Sequence, residues 1–223
     1  MSKEKLKKMK MPGYTRAEER FNMISHIVGG GFAIVALVLC VIRSALYSDA
    51  WSVVSSAIYG SSMIVVYAVS SVYHGLFDCL GKRVMRVIDH CDIYFLIAGT
   101  YTPILLCRIC KQYAGWGWTL FGIVWGLCAL AVTFTAIDMT KYSFLSMVCY
   151  IGMGWSIVLA IKPAIDSIAL PGLLWLLAGG LSYTLGAVLY GIGKKHKIMH
   201  SIFHLFVVLG SILQFFCIFF YVI

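Results

Sequence analysis

The feature that most constrains this chain is a series of apolar runs, each about as long as a membrane-spanning helix. A helix needs about 20 mostly apolar residues to cross the hydrocarbon core of a bilayer. Seven runs meet that length, at roughly 21–43, 51–77, 86–107, 117–137, 142–161, 170–191 and 199–222. The sequence therefore predicts an all-α membrane protein, a seven-transmembrane helix bundle.

The composition supports a bilayer, and not water, as the solvent of this chain. Hydrophobic residues make up 61% of the sequence, charged residues make up 12%, and the mean hydropathy is +0.90. Soluble domains are about half apolar and about a quarter charged. Because the connections between the runs are short, we expect only two parts. These are a basic cytoplasmic N-terminal tail at residues 1–20 and a single transmembrane domain at residues 21–223.

The distribution of lysine and arginine predicts the orientation. Of the 18 such residues, seven precede the first run, and the second, fourth and sixth connections add three, one and three. The last three are Lys194, Lys195 and Lys197. The positive-inside bias then places the N-terminus in the cytoplasm and the C-terminus outside. Because the basic tail adjoins a membrane segment, we interpret it as a topology signal that contacts anionic headgroups, and not as a nucleic-acid-binding surface.

Ionisable residues inside the apolar runs are costly and therefore point to function, and four of them stand out. His74 lies near the end of the second run, Asp89 lies near the start of the third, and His200 and His204 lie near the start of the seventh. The predicted topology places all four at a similar depth on the cytoplasmic side. Since that topology is predicted from lysine and arginine alone, the similar depth of the four residues independently supports a shared site.

The types and spacing of these residues predict a metal centre. His200 and His204 are four residues apart, so both imidazoles lie on one face of a helix, as in known metal sites. His74 would supply a third nitrogen, and three protein ligands plus a water are typical of a catalytic zinc site. Asp89 is interpreted either as a fourth ligand or as the group that takes a proton from the water. Ser70, one turn before His74, would orient the water or a substrate carbonyl.

Other polar residues are assigned supporting, structural or incidental roles. His90 and Asp92 are candidate partners that orient the ligands, because ligating imidazoles usually need an acceptor. His26 is interpreted as structural or as lining a cavity, and His196 as solvated. The pair Cys107 and Cys110 has the spacing of a metal or redox motif, but without a matching second pair we interpret it as incidental.

Several motifs occur in order along the chain. They are Glu18-Glu19-Arg20-Phe21-Asn22 with Ser25-His26, Ser70-x-x-x-His74, Asp89-His90, Ala98-Gly99-Thr100-Tyr101-Thr102-Pro103 and His200-x-x-x-His204. In these motifs the chain resembles the haemolysin III family, the bacterial branch of the progestin and adipoQ receptor superfamily. The resemblance covers nearly all of the chain after about residue 15.

The resemblance implies a seven-helix bundle with its N-terminus inside, in the plasma membrane of a bacterium. It implies that His74, His200 and His204 bind zinc directly, with Asp89 contacting the ion directly or through water and Ser70 nearby. The adiponectin-receptor branch of the superfamily is linked to zinc-dependent hydrolysis of the ceramide amide bond, and the bacterial branch to membrane lipid homeostasis.

The leading hypothesis is accordingly a zinc-dependent hydrolase of a lipid amide or ester, with membrane lipid as its partner. Two alternatives stay open. One is a receptor or lipid-state sensor in which structural zinc ties the second, third and seventh spans together. The other is a pore-forming haemolysin, which the strongly apolar runs do not favour. The sequence leaves the substrate and the oligomeric state undetermined.

Overall fold

The computed structural model describes residues 1–192 and 198–223. Within these residues, seven helices are long and apolar enough to cross a membrane, which confirms the predicted fold class. The connection between the last two helices lies outside the described residues, and with it Lys194, Lys195, His196 and Lys197. The seven are α1 (Arg16–Tyr47), α2 (Ala50–Gly75), α3 (Leu80–Gln112), α4 (Ala114–Asp138), α5 (Ser143–Ser167), α6 (Leu170–Ile192) and α7 (Ile198–Val222).

Side-chain caps explain where the first two spanning helices begin. Thr15 and Glu18 form a capping box: the Glu18 backbone N–H donates to Thr15 Oγ1 at 3.2 Å, and the Thr15 N–H donates to Glu18 Oε2 at 2.7 Å. This arrangement satisfies two free N–H groups, so α1 begins at Arg16, earlier than hydropathy alone predicts. Asp49 caps α2 by accepting from Ser52, and these hydrogen bonds hold the pKa of the Asp49 carboxyl below its usual value.

Two of the seven helices are interrupted. In α3, Pro103 precedes a π-helical segment at Leu105–Ile109, as expected where proline removes a backbone donor. In α5, a 3₁₀ segment at Ser156–Ala160 separates Ser143–Gly154 from Ile161–Ser167. Both interruptions lie inside otherwise regular membrane helices, where neighbouring helices can satisfy the freed backbone groups.

Small residues allow α1, α2 and α3 to pack closely. Gly29 of α1 lies under the ring of Tyr67, where an added Cβ would be 2.8 Å from Tyr67 Cε1. Gly99 of α3 lies against Ser62 in the same way. Close backbone approach at glycine is a common packing mode of membrane helices. This packing brings the end of α2 and the start of α3 beside the start of α1, where the polar residues lie.

The outer surface of the bundle is apolar. In α6, for example, exposed leucines and a valine recur at helical spacing: Leu174, Leu177, Leu181, Leu185 and Val188. A continuous exposed apolar stripe of this length is a liability in water but is the normal surface of a helix in lipid. Four histidines, by contrast, are buried and lie together near one end of the bundle: His26, His74, His200 and His204.

Candidate metal centre

His200 and His204 lie on the same face of α7 and are buried, with 6% and 1% of their surface exposed. Their Nε2 atoms are 3.1 Å apart. Two imidazole nitrogens bound to one tetrahedral zinc ion, at about 2.0–2.1 Å each, would be separated by about 3.4 Å. The observed spacing therefore fits a shared ion after only a small movement of the side chains.

His74 approaches this pair from the end of α2. The candidate ligand atoms of His74, His200 and His204 all lie within 4.8 Å of one another. Nε2 of His74 is buried and has no hydrogen-bond partner in residues 1–192 and 198–223, while its Nδ1 is in use. Because buried imidazole nitrogens are normally paired, this unused nitrogen beside two others fits a metal ligand.

Glu19 holds His74 in place. Glu19 Oε2 lies 2.6 Å from His74 Nδ1, and Glu19 Oε1 accepts a hydrogen bond from Lys82 Nζ at 2.7 Å. Lys82 also donates to the carbonyl of Leu76 at 2.9 Å, which anchors the start of α3 to the end of α2. A carboxylate on the far nitrogen of an imidazole fixes its tautomer and leaves the near nitrogen free as a ligand. This chain of contacts thus orients Nε2 of His74 toward the other two histidines.

An elongated apolar cavity of about 320 Å³ begins at the histidines. Ser70 and Asp89 line it near His200 and His204, and Leu173 lines it at the other end of α6. Tyr190 and Leu173 both contribute to the wall, and at 1.5 Å per helical residue they are separated by about 25 Å. A space of this length and lining suits a single extended hydrocarbon chain with a polar group at the histidine end.

The comparisons with known proteins agree with this architecture. Residues 14–215 match the sequence profile of the family described as "Haemolysin-III related". The chain belongs to the haemolysin-III related family. It is similar to "Hemolysin-3" of Bacillus cereus, with 38% identity over 206 residues that cover 92% of each chain. It is also similar to the "Hemolysin-3 homolog" of Bacillus subtilis strain 168, with 39% identity over 208 residues, 93% of this chain and 96% of the relative.

A more distant relative is the human "Monocyte to macrophage differentiation factor". It is 28% identical over 180 residues, which cover 78% of this chain and 72% of the relative. The family match confirms the predicted resemblance, and its range includes every candidate site residue named above. Seven apolar helices and close bacterial relatives show a multi-pass bacterial membrane protein of the haemolysin-III related family.

Among the predicted site residues of this haemolysin-III related chain, three histidines form the compact group, and two others lie beside it. Ser70 is buried in the cavity wall one turn from His74. Asp89 lines the same cavity, and its Oδ2 lies 3.8 Å from His90 Nδ1. The structure therefore brings Asp89 to the same chamber without placing it in the group of three nitrogens.

The other candidate residues lie outside the group of three histidines, although His90 lines the same cavity. His90 donates from Nδ1 to the carbonyl of Arg86 at 2.9 Å and accepts at Nε2 from the Tyr190 hydroxyl at 3.0 Å, so both of its nitrogens are in use. Asp92 is buried, and within the described part of the chain its carboxylate oxygens have no hydrogen-bond partner. Cys107 is buried in the π-helical segment of α3, and Cys110 directly follows that segment.

Two site residues were not assigned a role from the sequence, Glu19 and Tyr14. Glu19 appeared only as part of a family motif, although its place at the start of α1 puts it at the same depth as His74. The Tyr14 ring stacks on His200, with ring centroids 4.9 Å apart and 12° between planes. Burial raises the pKa of the Tyr14 phenol above its usual value.

Tyr14 belongs to an N-terminal segment, residues 1–15, that packs across the histidine end of the bundle. Its short helix, Lys3–Lys8, buries Leu6 beside Val87 and Met139. Lys5 pairs with Asp138 at 2.9 Å. Arg86 of α3 donates to the carbonyl of Lys10 at 2.8 Å, and Arg83 donates to the carbonyl of Met9. These contacts hold the segment over the site and position the Tyr14 ring.

Proposed function

We propose that this protein is a zinc-dependent hydrolase that cleaves the amide or ester bond of a membrane lipid. The observation that carries the proposal is the position of three buried, converging imidazole nitrogens at the head of a long apolar cavity. Three protein ligands with room for water are typical of catalytic zinc, and the cavity suits the acyl chain of a lipid.

His74, His200 and His204 would hold the ion, with Glu19 fixing the orientation of His74. Bound there, zinc would polarise a substrate carbonyl and lower the pKa of water to about 7. The remaining chemistry belongs to Asp89 and Ser70, which line the cavity beside the histidines. Asp89 would accept a proton from the attacking water, whose oxygen bonds to the carbonyl carbon. The carbon–nitrogen or carbon–oxygen bond then breaks as Asp89 returns the proton to the leaving group.

Ser70 would donate a hydrogen bond to the carbonyl oxygen of the lipid. The apolar wall made by α3, α5, α6 and α7 would hold the acyl chain and exclude water from it. Tyr14 and the N-terminal segment would limit access of bulk water to the polar end, because the Tyr14 ring covers one face of His200. Ser70 and the apolar wall face the same chamber, and Tyr14 lies against His200 at its polar end.

The first experiment measures zinc per chain in purified, detergent-solubilised protein beside a His200→Ala/His204→Ala double variant. About one zinc in the parent and little in the variant is the expected result. The second measures fatty acid released from a panel of ceramide-type amides and glycerolipid esters. Asp89→Asn should keep its zinc and lose turnover by about 10²–10⁴-fold, the usual contribution of a general base.

A structural role for zinc is the competing function, and the burial of all three histidines favours it. An ion on His74, His200 and His204 would tie α2 to α7 regardless of any chemistry. In that case the parent binds zinc, the double variant unfolds at lower temperature, and no lipid in the panel is turned over. That combination of results would reject the hydrolase proposal and favour a receptor or lipid-state sensor.

The name "Hemolysin-3" of the Bacillus cereus relative suggests a third function, lysis of cells. The apolar lining of the cavity does not favour an ion-conducting path through the monomer. Lysis of erythrocytes by purified parent protein, at the same rate with the His200→Ala/His204→Ala variant, would support a pore-forming activity independent of the metal centre.

A further inference from the structure

Helix α1 presents a row of polar side chains to the histidine cluster. Glu19, Asn22 and His26 are three and four residues apart, so they lie along one face of the helix. Glu19 has a defined partner in His74. Asn22 and His26 are also buried, with 0% and 3% of their surface exposed. This row places polar atoms of a third helix beside ligands that come from α2 and α7.

The imidazole of His26 has no assigned partner. Its ring centroid is 3.9 Å from that of His204. It also makes an edge-to-face contact with the ring of Tyr67, with the two centroids 5.1 Å apart. Both His26 nitrogens are buried without a hydrogen-bond partner in the described ranges. Folded proteins pair nearly all buried polar atoms, so an imidazole with two unpaired nitrogens requires a ligand, a water or an ion to explain it.

The location of His26 favours a ligand in the cavity. His26 lines the chamber together with Ser70, Asp89 and His204, whereas Asn22 is not part of that wall. The group of nitrogens within 4.8 Å of one another consists of His74, His200 and His204, so His26 lies beside the metal-binding group and outside it. A side chain in this position faces whatever polar group the cavity brings to the metal.

We propose that His26 binds the polar head of the lipid in the cavity, through a hydrogen bond to an oxygen of the group beside the metal. This inference rests on the proposed function, since it requires a lipid whose head reaches the histidine end. One ring N–H of His26 donates to the lipid oxygen, and the other nitrogen accepts from a lipid hydroxyl or amide N–H. His26 is thus a substrate-binding residue supplied by α1.

A long-chain alkyl hydroxamate is a suitable probe, because its chain fits the cavity and its head binds zinc. The experiment compares parent protein with His26→Leu, which removes both nitrogens, and His26→Gln, which keeps a donor and an acceptor. Ile27→Ala is the matched control, since the neighbouring Ile27 is 54% exposed on the outer surface. For each protein, zinc per chain and the hydroxamate Kd are measured in the same detergent.

We expect about one zinc per chain in all four proteins. The Kd should rise about tenfold or more in His26→Leu, as for a hydrogen bond to a charged or strongly polar head, and stay within about threefold of the parent in His26→Gln. Ile27→Ala should match the parent. Recovery of binding by glutamine separates a hydrogen-bonding role from a role in packing.

Three other results would overturn the inference. An unchanged Kd in His26→Leu would make His26 only part of the wall. Loss of zinc in both His26 variants would make it a residue that positions His204. A parent that holds zinc but does not bind the hydroxamate would remove the lipid site, and with it this role of His26. A parent that holds no zinc would instead reject the proposed function itself.

Discussion

Glycines show how differently the two sides of the bundle are packed. On the side formed by α1, α2 and α3, a Cβ added to Gly60 would lie 2.6 Å from Leu37 Cβ, and one added to Gly99 would lie 2.3 Å from Ser62 Oγ. On the side that faces the cavity, Gly154 of α5 and Gly180 of α6 line the wall, and an added Cβ at either would meet nothing within 4 Å. Where α6 meets α7 the packing is close, since a Cβ added to Gly179 would lie 2.5 Å from Gln214 Nε2.

This difference in packing fits the two functions of the proposed site, which are to hold the metal ligands and to accommodate a lipid chain. The closely packed side includes His74 and its support, Glu19 and Lys82, because a metal ligand must be held to within fractions of an ångström. The open side leaves room for a flexible hydrocarbon chain. A bundle packed equally well throughout would have no space for a lipid, and one packed loosely throughout would not hold the ligands in position.

Replacing a glycine by valine on each side tests this difference in packing directly. Gly60→Val should destabilise the protein by about 1–3 kcal/mol or prevent folding, because the added methyl groups overlap the backbone of α1 at Leu37. Gly180→Val should leave the thermal unfolding temperature in detergent within error of the parent. Equal loss of stability in both variants would show that the cavity side is as closely packed as the other.

The support of His74 is tested by Glu19→Gln, which keeps the shape of the side chain and removes its charge. We expect zinc affinity to fall about 10–100-fold, as for loss of a carboxylate partner of a ligating histidine. Competition with a chelator of known affinity measures the change. Glu18→Gln is the matched control, since glutamine also serves in a capping box and Glu18 faces Thr15. If both variants bind zinc like the parent, Glu19 does not support the metal site.

The proposed space for a lipid chain on the open side is tested by filling it with a larger side chain. Gly180→Leu adds a side chain to the cavity wall and should weaken binding of a long-chain hydroxamate by about tenfold, since part of the buried chain loses its contacts. Zinc per chain should not change, because Gly180 lies on α6, away from the three histidines. A hydroxamate with a short alkyl chain provides the control and should bind both proteins equally. Equal weakening for both chain lengths would contradict the proposed chain-binding space.

The smallest effect is expected at Tyr14, where the N-terminal segment packs over the histidine end of the bundle. Tyr14→Ala removes the ring that stacks on His200, and Tyr14→Phe keeps the ring without its hydroxyl. The rate at which a chelator removes zinc should rise a few-fold in Tyr14→Ala and stay close to the parent in Tyr14→Phe. Equal rates in all three proteins would mean that the N-terminal segment does not restrict access to the site.

Much of the fold could be predicted because few backbone structures are stable inside a lipid bilayer. Backbone groups cannot stay unpaired in a hydrocarbon core, so each long apolar run must be a helix. The number of spans and the depth of His74, Asp89, His200 and His204 follow from hydropathy and from the placement of lysine and arginine. The predicted orientation of the termini rests on the same bias and stays a prediction.

Only the tertiary structure decided which polar groups meet and how. Periodicity places His200 and His204 on one face of α7, but it does not say that Glu19, from a helix start extended by a Thr15 cap, reaches His74. It also does not show that Tyr14 covers His200 or that residues of α3, α5, α6 and α7 line a common cavity. These features depend on interhelical distances, which are set by side-chain shape at contacts such as Gly60 with Leu37. The spacing of residues along the sequence does not determine those interhelical distances.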